Sequence, residues 1–472
     1  MKILKRLIIL VLFSTTYLGG FAQSFPSNIQ QKLQAVLDAR FAQSTEYKAG
    51  ISAAILVDGV GYWEGTSGKS SMDINTSTLT SDTLFLIYST TKTFTAALIL
   101  DLVAENKISL SDKVSKWPLF ASFSNINPEI SIEQLLNHSS GIGDYVTNLI
   151  FQYMVISNPA KEWQPLEMLY YTGMPVFEPG KGQEYSSSNY IILGLIAEQV
   201  TDSAFYQLLR KRYFEPLGLN QTFFLPQEKL NGNLANPHDK KLVLGQNSEE
   251  VVDLTKYLDL TGLMSVTWST GGIVSVPRDV VKWTNALYQG KATSAQAHKL
   301  LMQSSLTDKD YGYGVYKKNH VRWGAIGHNG GAVGYRSSMT YIPDEKISIS
   351  VIVNQGILCI DEQSIDAIAR EMYLAVSSNP LASVSQQIES SLNCNIYPNP
   401  AEDFVLINFN NQVNADLLKV TAINVAGVRF ALHATSNGNN QWEVEVASLS
   451  AGYYILELTD NNHIDYKPLM KK

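Results

Sequence analysis

Between Phe94 and Val103 the chain reads Phe-Thr-Ala-Ala-Leu-Ile-Leu-Asp-Leu-Val, apolar nearly all round. A helix without a wet face has to be covered on most sides, so this segment requires a fold that wraps layers of structure around it. The chain is long enough to supply them. Its 472 residues, 45% hydrophobic and 17% charged, suit one large globular unit followed by a smaller one. On the N-terminal side, Gly50 to Val57 reads as a buried strand, Asp58-Gly59 as a turn and Gly61-Tyr62-Trp63-Glu64 as the start of a returning strand. On the C-terminal side, Ile347 to Val353 alternates Ile with Ser and then runs Val-Ile-Val, a central strand. Ile365 to Val376 has the spacing of a closing amphipathic helix. Strands at both ends with helical sequence between them predict an α/β (α+β) fold, in which an antiparallel sheet packs helices, and not a βαβ repeat.

The first 22 residues stand apart. Lys2, Lys5 and Arg6 precede the apolar run Leu7 to Phe13, and Gly20-Phe21-Ala22 supplies a small-residue cleavage site, so residues 1–22 read as a cleaved secretory signal. The run is well short of the ~20 residues of a membrane span, and no Cys near the cleavage point could accept a lipid. Residues 377–393, rich in Ser, Gln and Asn, read as a linker. From 394 to 472 short strands are expected at Phe404–Phe409, Lys419–Val425 and Tyr453–Leu458. Trp442, Val444 and Val446 alternate with Glu443 and Glu445, so a small β-sandwich is predicted. Cys359 and Cys394 fall on opposite sides of the linker, and the sequence does not choose between a bridge and two thiols. A formal charge of −7 with scattered Lys and Arg gives no footprint for nucleic acid. The seven histidines do not cluster with Cys, Asp or Glu at ligand spacings, so neither a metal nor another cofactor is expected.

Three motifs carry chemistry. The chain holds a single Ser-x-x-Lys, Ser89-Thr90-Thr91-Lys92, and it opens the apolar helix. Three residues apart on a helix puts both side chains on one face, about 5–6 Å apart at Cβ, within reach for a base that takes a hydroxyl proton. Lysine can do so only when neutral, and burial in an apolar setting lowers its pKa. A helix N-terminus also aims free N–H groups at a developing oxyanion. Tyr185-Ser186-Ser187 follows Phe177-Glu178-Pro179-Gly180; a tyrosine near such a pair can accept and return a proton if cations favour its phenolate, and Ser187 could hydrogen-bond a substrate amide. Alone, one of 24 tyrosines is more simply a core residue with a satisfied hydroxyl. In Gly327-His328-Asn329-Gly330-Gly331 the glycines permit close backbone approach and an oxyanion N–H, and His328 could donate to a substrate carboxylate or carbonyl. Leu135-Leu136-Asn137-His138-Ser139-Ser140-Gly141 has no independent chemical reading beyond helix capping.

Taken in order, these fragments resemble a known family. Phe85 to Phe94, His138-Ser139-Ser140-Gly141, Pro179-Gly180, Tyr185-Ser186-Ser187, Leu193-Gly194, Pro216-Leu217-Gly218, Gly271-Gly272, Gly327-His328-Asn329-Gly330 and Val353-Asn354 follow the order of the class C β-lactamase and D-alanyl-D-alanine carboxypeptidase family, over roughly residues 30–375. The resemblance implies a β-lactamase/transpeptidase-like domain over 23–376, built from both ends of that region with a helical domain inserted. It implies acylation of Ser89, proton transfer shared by Lys92 and Tyr185, and an oxyanion hole from the backbone N–H groups of Ser89 and Gly331. His328, Ser187, Asn329 and Gly330 would contact substrate. An α/β-hydrolase would need G-x-S-x-G after a strand, which is absent.

Two departures bear on substrate. The family's Tyr-x-Asn is Tyr185-Ser186-Ser187 here, with Asn189 close by as a substitute amide, and His328 stands where class C β-lactamases carry lysine. The expected function is an exported serine hydrolase acting on D-amino-acid peptides or small esters. The alternatives are a β-lactamase and, from another class, a catalytically silent surface-binding protein. Asn395-Ile396-Tyr397-Pro398-Asn399-Pro400-Ala401, Asn424-Val425-Ala426-Gly427 and Leu449 to Leu456 resemble a type IX secretion sorting domain over 394–472, with a basic end at Lys467, Lys471 and Lys472. That resemblance implies outer-membrane secretion machinery as a partner and a secreted or cell-surface location.

Overall fold

The computed structural model describes residues 24–43, 49–72, 78–305, 311–360, 362–377, 394–409, 418–424, 429–438, 440–459 and 464–472. The expected signal segment and all of the expected linker except Ser377 lie outside the described residues.

Six strands form the main sheet: β1 (Gly50–Val57), β2 (Gly61–Gly68), β3 (Tyr316–Lys317), β4 (Ile326–Ala332), β5 (Tyr335–Ile342) and β6 (Ile347–Val353). Their order is β2-β1-β6-β5-β4-β3, antiparallel throughout. The sequence hairpin therefore forms, and Ile51 pairs with Val353 while Val57 pairs with Ile347. The two ends of the unit close on each other across about 300 residues, as the resemblance implies.

Period-2 alternation sends Ile51, Ala53 and Ile55 of β1 and Ile347, Ile349, Val351 and Val353 of β6 to one face. There they meet Ile29, Leu33 and Leu37 of α1 (Ser27–Gln43) in one core, with residues of the C-terminal helix. On the opposite face the Ser side of the Ile-Ser alternation is buried as well. Ser348 and Ser350 are buried beside Met339 and Tyr341 of β5, under a helix over Pro277–Tyr288. Tyr288 of that helix stacks on Tyr341 at 5.1 Å. Small side chains let the helix sit close, at the cost of two buried hydroxyls without partners.

The region between β2 and β3 is mainly helical and shares one large core. At its centre is α2 (Thr91–Ala104), in which every residue from Thr91 to Leu102 is buried. The all-round apolar pattern is thus matched by all-round cover. Beside it lie α3 (Ser187–Thr201) and α4, the Pro277–Tyr288 helix. A small antiparallel sheet joins Phe85–Leu86 to Ile273–Ser275 and Phe223–Phe224, and it delivers the chain to the start of α2. The closing helix α5 (Glu362–Ser377) covers the α1 side of the main sheet.

After residue 393 the chain forms two four-stranded antiparallel sheets. Val405, Ile407, Trp442, Val444, Leu456 and Leu458 share their core, and Glu443 and Glu445 face outward, as the alternation predicts. Cys359 donates to Asp239 Oδ1 at 3.5 Å, and no disulfide joins it to Cys394.

Removing an unpartnered buried hydroxyl removes a desolvation penalty. Ser350→Ala is expected to leave the urea midpoint unchanged or raise stability by up to about 1 kcal/mol. A loss of that size, measured by equilibrium unfolding, would show that the hydroxyl has a partner after all.

Candidate active site

The strand Phe85–Leu86 is held by Ile273–Ser275, and Ile87 N–H continues the pairing to Ile273 O at 2.9 Å. Tyr88 then turns the chain with φ of 44°, in the left-handed region that a non-glycine residue occupies only under constraint. The constraint is visible: Tyr88 Oη donates to Val333 O at 2.5 Å. Ser89 sits in the short Tyr88–Thr90 turn that runs directly into α2.

Each neighbour fixes that turn. Ser337 Oγ donates to Ile87 O at 2.8 Å and lies 3.0 Å from Thr90 Oγ1. Thr91 Oγ1 accepts from Ile273 N–H at 3.2 Å. Thr93 Oγ1 donates to Thr90 O and accepts from Trp283 Nε1, both at 2.8 Å. Phe94 stacks on the same Trp283 at 3.8 Å. The threonines around Ser89 and Lys92 are anchors.

Lys92 is fully buried, with Nζ 3.0 Å from Ser89 Oγ and 3.0 Å from Thr270 O. Burial pushes its pKa down to about 7, against the opposing pull of the Asp144 carboxylate. A substantial fraction is therefore a neutral amine at neutral pH, able to take the Ser89 proton.

Tyr185 is packed beside this pair, its ring centroid 4.9 Å from Lys92 Nζ. Its buried hydroxyl is near enough to Ser89 to be influenced by it, but meets no partner at hydrogen-bonding geometry. Burial dominates and raises its pKa well above the ordinary phenol value, with Ser89 pulling weakly the other way. The resting group is a phenol with a proton to give. The phenolate considered from sequence is disfavoured.

The Gly-rich motif lies within β4, not beside it, and alternation splits it. His328 faces the Lys92 side: its Nδ1 is 2.6 Å from Asn329 O and its Nε2 3.0 Å from Tyr311 Oη. Both ring nitrogens are engaged, so the donation to substrate expected of His328 has no free N–H in this arrangement. Asn329 points the opposite way, into a buried network. Its amide donates to Asp366 Oδ2 at 3.0 Å and its oxygen accepts from Lys318, which also pairs with Asp366 at 2.5 Å. Substrate contact by Asn329, expected from sequence, is thus corrected by strand geometry. Gly330 packs against the nucleophile turn so tightly that a Cβ there would lie 1.9 Å from Ile87 O. Gly331 follows on the stretch of β4 beyond Gly327, where β3 no longer pairs with it.

Ser187 begins α3 with a backbone N–H to the Asp144 carboxylate, and its hydroxyl has no partner among the described residues. Asn189, considered as a replacement amide, is fully committed: Nδ2 lies 3.0 Å from His138 Nδ1, and Oδ1 accepts from Ser140 Oγ at 2.7 Å. Two residues without a chemical role in the sequence reading belong to the site. His138 accepts Ser186 N–H at 3.2 Å and lies 4.4 Å from the Tyr185 ring, fixing the tyrosine segment. Asp144 caps the next turn through Val146 N–H at 3.1 Å and acts electrostatically on Lys92. His138 stood within a segment already singled out by its order, whereas nothing in the sequence marked Asp144.

A helix-backed antiparallel sheet, with a helical insert that begins at a strand-to-helix Ser-x-x-Lys turn, defines the β-lactamase and transpeptidase class of proteins. The chain belongs to the β-lactamase family, whose family model matches residues 37–358. Residues 395–472 match the secretion system C-terminal sorting domain. A penicillin-binding protein of Bacillus subtilis is 28% identical over 291 residues, 59% of this chain and 62% of that protein. The match thus spans less than two thirds of that relative's length. A teichoic acid D-alanine hydrolase of Staphylococcus aureus is 25% identical, over 52% of this chain and 58% of its own. Among solved structures, a D-stereospecific amidohydrolase from Streptomyces superposes with a TM-score of 0.60 at 26% identity, covering 72% of this chain and 98% of that one. The D-amino acid amidase of Ochrobactrum anthropi shares the fold, with a TM-score of 0.62 at 23% identity, over 74% of this chain and 99% of its own.

Gly330→Ala tests the close approach of β4 to the turn. Relieving a Cβ contact of 1.9 Å with backbone requires the strand or the turn to move by about 1 Å, which should slow acylation of Ser89 by roughly a hundredfold. The pre-steady-state burst of p-nitrophenol from p-nitrophenyl acetate would measure it, and an unchanged burst rate would remove β4 from the reacting geometry.

Proposed function

We propose that this chain is an exported serine hydrolase that forms an acyl-Ser89 intermediate and acts on amides or short peptides of D-amino acids with a free amino end. The observation that carries the reading is the 3.0 Å contact between Ser89 Oγ and a fully buried Lys92 amine whose pKa falls to about 7.

Neutral Lys92 takes the Ser89 proton as Oγ bonds to the substrate carbonyl carbon. The carbonyl oxygen, now an oxyanion, is received by the backbone N–H groups of Ser89 and Gly331. Tyr185 gives its phenolic proton to the departing nitrogen as the C–N bond breaks, and the Lys92 ammonium returns the proton to Tyr185. Water then attacks the acyl ester, its proton passing to the same pair, and Ser89 leaves with a proton restored.

Substrate class follows from charge. With both His328 nitrogens engaged, the site lacks at that position the cation that would hold a substrate carboxylate, which disfavours β-lactams. Asp144 instead offers a carboxylate beside Lys92 and Ser187, suited to the ammonium of a free amino terminus. The D-stereospecific amidohydrolase and the D-alanine hydrolase among the similar proteins support the D-configuration. Small esters, which need no ammonium, form the second reading. The sorting domain marks the chain for export to the cell surface or medium. We assign the hydrolase to 23–376 and the sorting unit to 394–472, the latter engaging outer-membrane secretion machinery after a signal peptide at 1–22 has been removed.

Ser89→Ala and Lys92→Ala should each lower turnover of D-phenylalanine p-nitroanilide by at least about a thousandfold with folding intact. Near-normal turnover in either variant would sink the mechanism, and a silent wild type would restore the binding-protein alternative. Activity should rise with pH through about 7, because the protonated Lys92 present below it cannot accept a proton.

Asp144→Asn separates two effects. The lost carboxylate no longer favours the Lys92 ammonium, so the acid limb of the pH profile should move to lower pH. KM for the D-amino-acid anilide should rise about tenfold or more while KM for p-nitrophenyl acetate stays within about threefold. Equal effects on both substrates would refute the amino-end assignment.

A further inference from the structure

Tyr311 is buried where the three motif segments meet. Its hydroxyl lies 3.0 Å from His328 Nε2. Its ring stands edge-on to His138 at 4.5 Å, Tyr185 at 5.9 Å and Tyr316 at 4.7 Å. Its backbone oxygen accepts from Gln183 Nε2 at 3.0 Å, and the same amide donates to Asn137 O at 2.7 Å. One residue thus touches the His138, Tyr185 and His328 segments at once.

The partners determine which nitrogen of each imidazole carries a proton. His328 Nδ1 faces a carbonyl oxygen, which can only accept, so Nδ1 bears the hydrogen. Nε2 of the neutral ring is then bare and accepts from the Tyr311 hydroxyl at 3.0 Å; Tyr190 Oη, whose own proton goes to Leu136 O, is the competing acceptor nearby. His138 is the reverse. Its Nδ1 faces the Ser186 N–H and the Asn189 amide nitrogen, both donors, so the hydrogen is on Nε2. Nε2 of His138 is buried without a polar partner, among the rings of Tyr185, Tyr190 and Tyr311.

We propose that Tyr311 is a positioning residue which, by donating to His328 Nε2, locks that ring as the neutral Nδ1–H tautomer and so leaves Lys92 as the one basic acceptor for the Ser89 proton. This rests on the acyl-Ser89 reading above. A protonated imidazole beside Lys92 would oppose the ammonium formed when Lys92 takes that proton, while a His328 with its only hydrogen on Nε2 would lose its contact with the Asn329 carbonyl. Burial, and then the Lys92 charge, hold both histidines well below the ordinary imidazole range, in the same sense.

The test uses the full chain labelled with ¹⁵N-histidine, and Tyr311→Phe, which removes only the hydroxyl. In the wild type, long-range ¹H–¹⁵N spectra should show His328 with a protonated Nδ1 and a bare Nε2, without titration between about pH 5.5 and 9. In Tyr311→Phe this signature should be lost, and kcat for p-nitrophenyl acetate should fall about tenfold or more with KM within about threefold. Tyr313→Phe, which removes a surface bond to Glu133, should change neither. A fall in kcat with the tautomer unchanged would reduce Tyr311 to packing, and no change in either would also overturn the proposal. If Tyr311→Phe does not fold, the wild-type spectrum still decides, since a protonated Nε2 in His328 excludes the lock. Turnover surviving in Ser89→Ala would defeat the hydrolase reading while leaving the tautomer assignment standing.

Discussion

Everything in the hydrolase unit serves one costly contact, a lysine amine buried against a serine hydroxyl. Moving Lys92 from its ordinary value of 10.5 to about 7 corresponds to on the order of 5 kcal/mol of differential stabilisation of the neutral amine. Deep burial with little compensating charge imposes that. The cover is supplied by α2, apolar on every side, and by the aromatic rings of Tyr185 and Tyr190 over Nζ. Thr270 O gives the amine one polar partner and therefore a fixed direction. Asp144 limits the shift from a distance, without forming an ion pair.

Holding Ser89 at that amine requires backbone strain, and the strain is met by long-range anchors. A left-handed Tyr88 costs roughly 1–3 kcal/mol, and its hydroxyl reaches across to the backbone of the β4–β5 turn to stay there. Gly330 lets β4 approach Ile87 more closely than any side chain would allow. Behind β4, Asn329, Ser338 and Lys318 converge on Asp366. Burial opposes its charge, but Lys318 and His320 hold its carboxyl well below the usual range. The strand carrying His328 is thus clamped on both faces, to the reacting turn on one side and to α5 on the other.

This division explains what the sequence could reveal. The β1–β2 hairpin, the β6 strand, α2 and α5 were all legible, because their patterns are local and their burial is a property of one face or of all faces. Ser-x-x-Lys was legible because its geometry is that of a single helical turn. Ile347–Val353 was legible as a central strand, although its Ser-Ile alternation alone did not tell that the serine face lies beneath a close-packed helix. Asn329 misled because the motif was taken as one substrate-facing group; once it lies within a strand, His328 and Asn329 must diverge. His138 and Asp144 act on Lys92 from 46 and 52 residues further along the chain, and Tyr311 reaches His328 across 17 residues that include another strand, so no single-turn or alternating spacing encodes them.

The pattern of charge around Ser89 bears on what the site can hold. Where a lysine would bring a second permanent cation to β4, His328 brings a ring that its carbonyl and tyrosine partners keep neutral, and His138 is held neutral by the opposite set of donors. A single titrating base remains beside the nucleophile, with one carboxylate nearby. Such a site offers no fixed cation on β4 to clamp a carboxylate. In the proposed reading the preference is set at the amino end of the substrate, through Asp144, while the acyl transfer depends on the Lys92 amine taking the Ser89 proton and passing it on through Tyr185.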